Sequence, residues 1–236
     1  MLRYALLLPV LIVLSASAQT WELMTPVKRQ SELSSVQMVG PTTGFAIDRA
    51  LGFMLKTTDA GASWERKPYN FLDHPRVLWM WDDQRGIAAA QAGRFYHTTD
   101  GWATITSVYE PTFSNLSSMF FVNDLLGWAG SESGKIVRTT DGGTTWTLQT
   151  SGTTNAIVAL HFVNDQLGFA AATGSILLRT TDGGANWAPV TTPMTYNMRG
   201  IHFFDVLNGI AVGQGGEIMR TTDGGDTWTL LPELPQ

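Results

Sequence analysis

An aspartate recurs at positions 59, 100, 141, 182 and 223 of the 236-residue chain, and every interval is 41 residues. A fixed period of this size marks stacked supersecondary units, a solenoid or a propeller, in which neighbours bury one another's apolar faces. The surrounding residues repeat as well. Arg138-Thr139-Thr140-Asp141-Gly142-Gly143-Thr144-Thr145-Trp146 returns with small changes over 179–187 and 220–228. Looser copies run Lys56-Thr57-Thr58-Asp59-Ala60-Gly61-Ala62-Ser63-Trp64 and His97-Thr98-Thr99-Asp100-Gly101.

Each copy spells strand, turn, strand. The paired threonines suit a pleated, half-buried strand. Asp-Gly-Gly supplies a carboxylate that bonds nearby backbone N–H groups and glycines that tolerate positive φ. The tryptophan folds back over the hairpin with its N–H near solvent. Asp59, Asp100, Asp141, Asp182 and Asp223, with Trp64, Trp146, Trp187 and Trp228, are therefore read as structural. The second copy departs, with Trp102 at the second glycine position and Ile105 at the tryptophan position, which predicts a looser turn.

The fourth unit parses into strands at 157–162, 168–172, 176–180 and 187–190. Four strands per repeat is the blade of a β-propeller. The expected fold is all-β: a propeller of four-stranded blades from five repeats that end near Trp64, Ile105, Trp146, Trp187 and Trp228. Simple alternation is weak because strands between blades are buried on both faces. Trp21-Glu22-Leu23-Met24 repeats the strand after each turn but lacks the turn itself. Open terminal blades invite edge pairing. A closed five-blade ring, sealed by the Trp21 or the Trp228 strand, is expected over an arc completed by another chain.

Thr-x-Asp-x-Gly-x-x-Trp resembles the Asp-box (BNR) repeat of sialidases, sortilin-type receptors and related β-propellers. The upstream residues narrow the likeness. Phe121-Val122-Asn123-Asp124-Leu125-Leu126-Gly127-Trp128-Ala129-Gly130, the 134–143 stretch, and the copies starting Phe162-Val163-Asn164-Asp165 and Phe203-Phe204-Asp205 are similar to the photosystem II stability/assembly factor family. The resemblance covers essentially all of 19–236. It implies a propeller, more often of seven blades, that holds an extracytoplasmic segment of a membrane protein during assembly or repair. It also implies an arginine-rich client surface, which this chain matches only at the repeat positions.

Met1-Leu2-Arg3, an apolar run over 4–14 and Ser15-Ala16-Ser17-Ala18 describe a secretory signal peptide cleaved after Ala18. The run is shorter than the roughly 20 apolar residues of a membrane span. Residues 19–236 are then one propeller domain that is not inserted in a membrane, in a periplasmic, extracellular or, in a photosynthetic host, thylakoid-lumen compartment. A net charge of −5 argues against nucleic acid as partner. With Cys 0, no disulfide, thiol catalysis or thiolate metal site is available.

Catalysis finds little support. A glycosidase needs two carboxylates about 5–10 Å apart in one cleft. Asp83, Asp124, Asp165 and Asp205 sit at the turn after the first strand and are read as turn caps. The remaining candidates, Asp48, Glu110, Glu132 and Glu217, do not form an obvious pair, and the Arg-Ile-Pro start of an Asp-box sialidase is absent. No enzyme activity, cofactor or metal is expected. His161 and His202 occupy matching first-strand places and are read as filling space between blades. Two features suit binding. Lys56, His97, Arg138, Arg179 and Arg220 recur three residues before each box aspartate, a series fitted to carboxylates or phosphates. Arg76, Trp79 and Trp81 make the second blade irregular, with the residue types that interface hot spots favour. The expected function is a non-enzymatic, exported protein-binding scaffold; the alternative is a sialidase-like glycoside hydrolase or a carbohydrate-binding protein, with a glycan as ligand.

Overall fold

The computed structural model describes residues 32–71, 73–110, 113 and 115–232. The expected signal peptide, the Trp21 strand and residues 233–236 lie outside the described residues. Five antiparallel sheets of four strands follow one another along the chain. Blade 1 holds β1 (Leu33–Met38), β2 (Gly44–Asp48), β3 (Phe53–Thr57) and β4 (Glu65–Asn70). Blade 2 holds β5 (Val77–Met80), β6 (Gly86–Ala89), β7 (Arg94–Thr98) and β8 (Thr106–Tyr109). Blade 3 holds β9 (Leu116–Phe121), β10 (Gly127–Ser131), β11 (Ile136–Thr139) and β12 (Thr147–Gln149). Blade 4 holds β13 (Ile157–Phe162), β14 (Gly168–Ala172), β15 (Ile176–Thr180) and β16 (Ala188–Val190). Blade 5 holds β17 (Met198–Phe203), β18 (Gly209–Gly213), β19 (Ile218–Thr221) and β20 (Thr229–Leu230). The five-repeat propeller of the sequence reading is the fold observed, and the strands expected in the fourth repeat match β13 to β16 to within one residue.

The sequence of the second strands explains the sandwich. GFAID, GWAGS and GFAAA are buried at every position, so neither face takes a polar alternation. Each opens on glycine because an aromatic or methionine at the end of the first strand lies directly across. Gly168 pairs with Phe162, and a Cβ there would sit 2.3 Å from the phenyl ring. Gly127 and Phe121 repeat the arrangement at 2.4 Å. The aromatic then projects against the preceding blade. Phe162 stacks on Trp128 of blade 3 with centroids 3.5 Å apart, and Phe203 stacks on Phe169 of blade 4 at 4.4 Å.

Hydrogen bonds tie the first strands together in the same register. The Met80 N–H donates to Gln37 Oε1 at 2.7 Å, and the Phe203 N–H donates to His161 Nε2 at 3.2 Å. Four apolar clusters result, one at each junction between consecutive blades. A fifth cluster, Ala46, Phe53 and Leu55 with Trp64 against it, belongs to blade 1 alone. First strands pack in the succession β1, β5, β9, β13, β17. No comparable packing joins β17 to β1 among the described residues. The closed ring favoured from sequence is therefore not seen there; among the described residues the five blades form an arc with no further sheet against its first or its last blade.

Two local expectations are corrected. The second Asp-box is not looser: Trp102 takes φ 68°, its N–H donates to Thr98 Oγ1 at 2.9 Å, and Thr104 closes on Asp100 as in the other copies. Its indole is fully buried between blades 1 and 2 against Phe71, the kind of site Trp146 fills between blades 2 and 3. The caps after the first strands are Asp82, Asn123, Asn164 and Asp205, each accepting two backbone N–H bonds. Only Asp205 of the expected four is among them. Asp124 instead accepts Arg85 Nη1 at 2.8 Å from the neighbouring blade.

Truncating a junction ring removes its stacking and leaves a void between two sheets. Phe162→Ala is expected to destabilise the protein by about 3–5 kcal/mol, read by chemical denaturation followed through tryptophan fluorescence.

Candidate functional site: the Asp-boxes and the basic series

In each Asp-box one hydroxyl and one carboxylate hold the turn. Thr139 Oγ1 donates to Asp141 Oδ1 at 2.8 Å and accepts the Gly143 N–H at 2.8 Å. Asp141 accepts the Thr145 N–H at 2.9 Å and the Thr145 hydroxyl at 2.6 Å. Glycine is needed at 143, where φ is 88° and a Cβ would lie 2.6 Å from Ile87 of the preceding blade. Asp59, Asp182 and Asp223 repeat the scheme with Ser63, Asn186 and Thr227. The Ser63 and Thr227 hydroxyls are the largest influences that pull Asp59 and Asp223 down to about 2. These carboxylates stay ionised and committed to their turns.

The basic series lies on the third strand of each blade, opposite a bulky second-strand residue: Lys56 opposite Phe45, Arg138 opposite Trp128, Arg179 opposite Phe169, Arg220 opposite Ile210. This register turns the basic side chains of blades 1 to 4 toward the next blade's Asp-box. Lys56 Nζ rides 5.2 Å above the Phe45 ring and sits beside Gly101. His97 lies beside Gly143; burial holds its imidazole below the usual range, against a Gly143 backbone hydrogen bond and the Asp141 carboxylate. Arg138 lies 5.8 Å over Trp128, whose Nε1 donates to Gly183 O at 3.1 Å in the fourth box. Arg179 lies over Phe169 and donates to Asp226 Oδ1 at 2.5 Å. Arg220 is exposed at the end of the arc. The series is thus spread around successive junctions, one basic group per box.

Grooves open beside two members of the series, one between blades 4 and 5 and one on blade 3. One of about 480 Å³ is lined by Arg179, Asn186, Trp187, Pro189 and Asp226, and a smaller one of about 150 Å³ by Arg138, Thr140, Thr145, Thr147 and Gln149. They hold equivalent residues one repeat apart. In blade 2, Trp79 and Trp81 pack their rings against Phe120 and Phe121 of blade 3, with centroids 5.3 and 5.0 Å apart. Arg76 pairs with Glu132. These three side chains tie blade 2 to blade 3.

Three of the non-repeated carboxylates, Asp48, Glu132 and Glu217, hold neighbouring segments in place. Burial alone would raise Glu132, but hydrogen bonds from Asn115 and Arg76 hold it below the usual range. Glu217 accepts the Thr195 hydroxyl at 2.6 Å and the Tyr196 N–H at 3.0 Å, and the hydroxyl is the largest cause of its lowered pKa. Asp48 accepts the Leu51 N–H at 2.9 Å. A general acid at neutral pH needs a raised carboxyl pKa. Glu132 and Glu217 are shifted the other way. Among the described residues no cluster of three His, Asp or Glu side chains could hold a metal ion.

His161 is buried between Phe120 and His202, with ring centroids 4.9 Å away on each side. Burial, then repulsion from His202, lowers its pKa to about 4. The unfolded chain takes up this proton near 6.5 and the folded chain only near 4. Within that window the unfolded state binds more protons, so His161 stabilises the fold above pH 6.5 and loses this contribution as pH falls. Gln37 makes the same junction bond without titrating. His161→Gln is expected to keep the bond to Phe203 and to flatten the stability slope between those pH values, measured by denaturation at stepped pH.

The sequence model of the family described as Photosynthesis system II assembly factor YCF48 matches residues 96–194. No curated protein sequence matches the chain. Among solved structures, YCF48 bound to D1 peptide superposes with a TM-score of 0.73 at 21% identity, over 90% of this chain and 72% of the other. YCF48 from Cyanidioschyzon merolae gives 0.60 at 16% identity, over 88% and 87%. A GH74 enzyme from Niastella koreensis gives 0.69 at 16% identity, but the overlap is 85% of this chain and 37% of the enzyme. At these identities the structures speak for the fold. This chain is an Asp-box β-propeller that resembles the photosystem II assembly factor YCF48.

Proposed function

We propose that this protein is a non-enzymatic scaffold, exported from the cytoplasm, that grips an extended extracytoplasmic segment of a membrane protein during its assembly or repair. The observation that carries this reading is the likeness to YCF48, one structure of which is bound to D1 peptide. The geometry supports a linear ligand. Arg138 and Arg179 floor equivalent grooves one repeat apart, and Arg220 extends the series. A chain laid along the rim of blades 3 to 5 would meet one guanidinium per blade, which suits carboxylates spaced along an extended segment. The Asp-box carboxylates hold their turns, and Glu132 and Glu217 latch neighbouring segments. That commitment favours binding over glycoside hydrolysis.

The test is an affinity pull-down of tagged protein from cross-linked native envelopes, read by mass spectrometry. Enrichment of one membrane protein, lost when Arg138, Arg179 and Arg220 are all changed to Ala in a variant that keeps its β-sheet circular dichroism, is the expected result. Retention on a glycan column with no protein partner would overturn the scaffold and favour the carbohydrate reading.

A further inference from the structure

The two ends of the arc present faces of opposite type. In blade 4 the face turned to the preceding blade consists of Ile157, Leu160 and Phe162, all buried against Trp128 and Ile136. Strand register puts Leu33, Val36 and Met38 in those places in blade 1. They are 53%, 66% and 45% exposed. Trp64 is half-buried, whereas Trp146, Trp187 and Trp228, each covered by a preceding blade, are buried.

The other end mirrors this. Phe169, Ala171 and Leu177 of blade 4 are fully buried against blade 5. Their counterparts Ile210, Val212 and Ile218 face no sixth sheet among the described residues, and Val212 is 37% exposed. Even the backbone bond has both of its halves in place. Gln37 and His161 each accept the N–H of the last residue on the next first strand, Met80 and Phe203. The matching acceptor on blade 5 is the exposed His202, and the matching amide on blade 1 is that of Met38.

We propose that a second copy of this chain covers these faces, with blade 5 of one copy seated on blade 1 of the next. Ile210 then packs on Met38 as Phe169 packs on Phe203, and His202 accepts the Met38 N–H as His161 accepts that of Phe203. The occupant follows from the four internal junctions, where a face of the blade-5 type always covers a face of the blade-1 type. The contact is heterologous, head to tail, because the two faces differ. It does not rest on the scaffold reading, and its test needs no client.

Sedimentation velocity and mass photometry of the purified protein over a micromolar concentration series give the readout. The expected result is concentration-dependent dimers or longer species. Val36→Asp and Val212→Asp each yield a folded monomer, since both sites are exposed within one copy. An equimolar mixture of the two variants restores a dimer and nothing larger, because each supplies the face the other lacks. Three results would overturn the proposal: a wild-type monomer throughout, oligomers that survive both substitutions, or a mixture that stays monomeric. A monomer whose Trp64 resists a soluble fluorescence quencher would assign the face to another segment of the same chain.

Discussion

Everything in this molecule depends on the packing of one blade's second and third strands against the first strand of the next. A four-stranded sheet with both faces apolar cannot remain alone in water, because its stability comes from removing those faces from solvent. The second strands GFAID, GWAGS and GFAAA carry large side chains toward one neighbour and small ones toward the other, so consecutive sheets nest. The pairs of a second-strand glycine with a first-strand aromatic, such as Gly168 with Phe162, set the depth of that nesting. Cysteine is absent, and no covalent staple shares the load. Junction rings and the hydrogen bonds from Met80 to Gln37 and from Phe203 to His161 therefore determine both stability and the angle between blades.

The Asp-box serves this packing from the outside. It fixes a hairpin whose glycines bring the backbone close to the preceding blade, and it aims a tryptophan back at the same junction. Trp146 stacks on Phe95 of blade 2 with centroids 4.4 Å apart, while its Nε1 donates to Gly143 O at 3.0 Å. The carboxylate that looks most like a catalytic group is thereby the one least available for chemistry. Five such aspartates, all lowered in pKa by hydrogen bonds from their own turns, are a structural set.

The sequence is most legible where local chemistry repeats. The 41-residue period and the alternation of turn and apolar run locate the blades, and the fourth blade's strands can be read almost to the residue. It is least legible where two residues offer the same chemistry or where tertiary space decides. Asn123 and Asp124 are both able to cap the turn, and only the backbone path selects Asn123. Trp102 breaks the motif in sequence yet restores it in space, because its indole reaches a junction pocket from the glycine position. Closure is invisible to a repeat pattern, since the same period serves a ring and an arc. The basic series was visible as a series, but its orientation toward the following box emerges only from strand register, as between Trp128 and Arg138.

That orientation links architecture to recognition. A guanidinium stacked over an aromatic ring is held in a fixed direction at small entropic cost, with its outer edge left for carboxylate oxygens. Arg138 over Trp128 and Arg179 over Phe169 have this arrangement, and Asp226 already occupies part of the second. A ligand carboxylate approaching Arg179 must compete with a side chain from the neighbouring blade, whereas at the fourth blade the residue in Asp226's place is Ala185, which leaves Arg138 without that competitor. Equivalent positions of the repeat thus differ in what they can accept. The architecture supplies the spacing of the guanidinium groups, and the variable box residue, Asp226 or Ala185, sets which of them is open to an acidic segment.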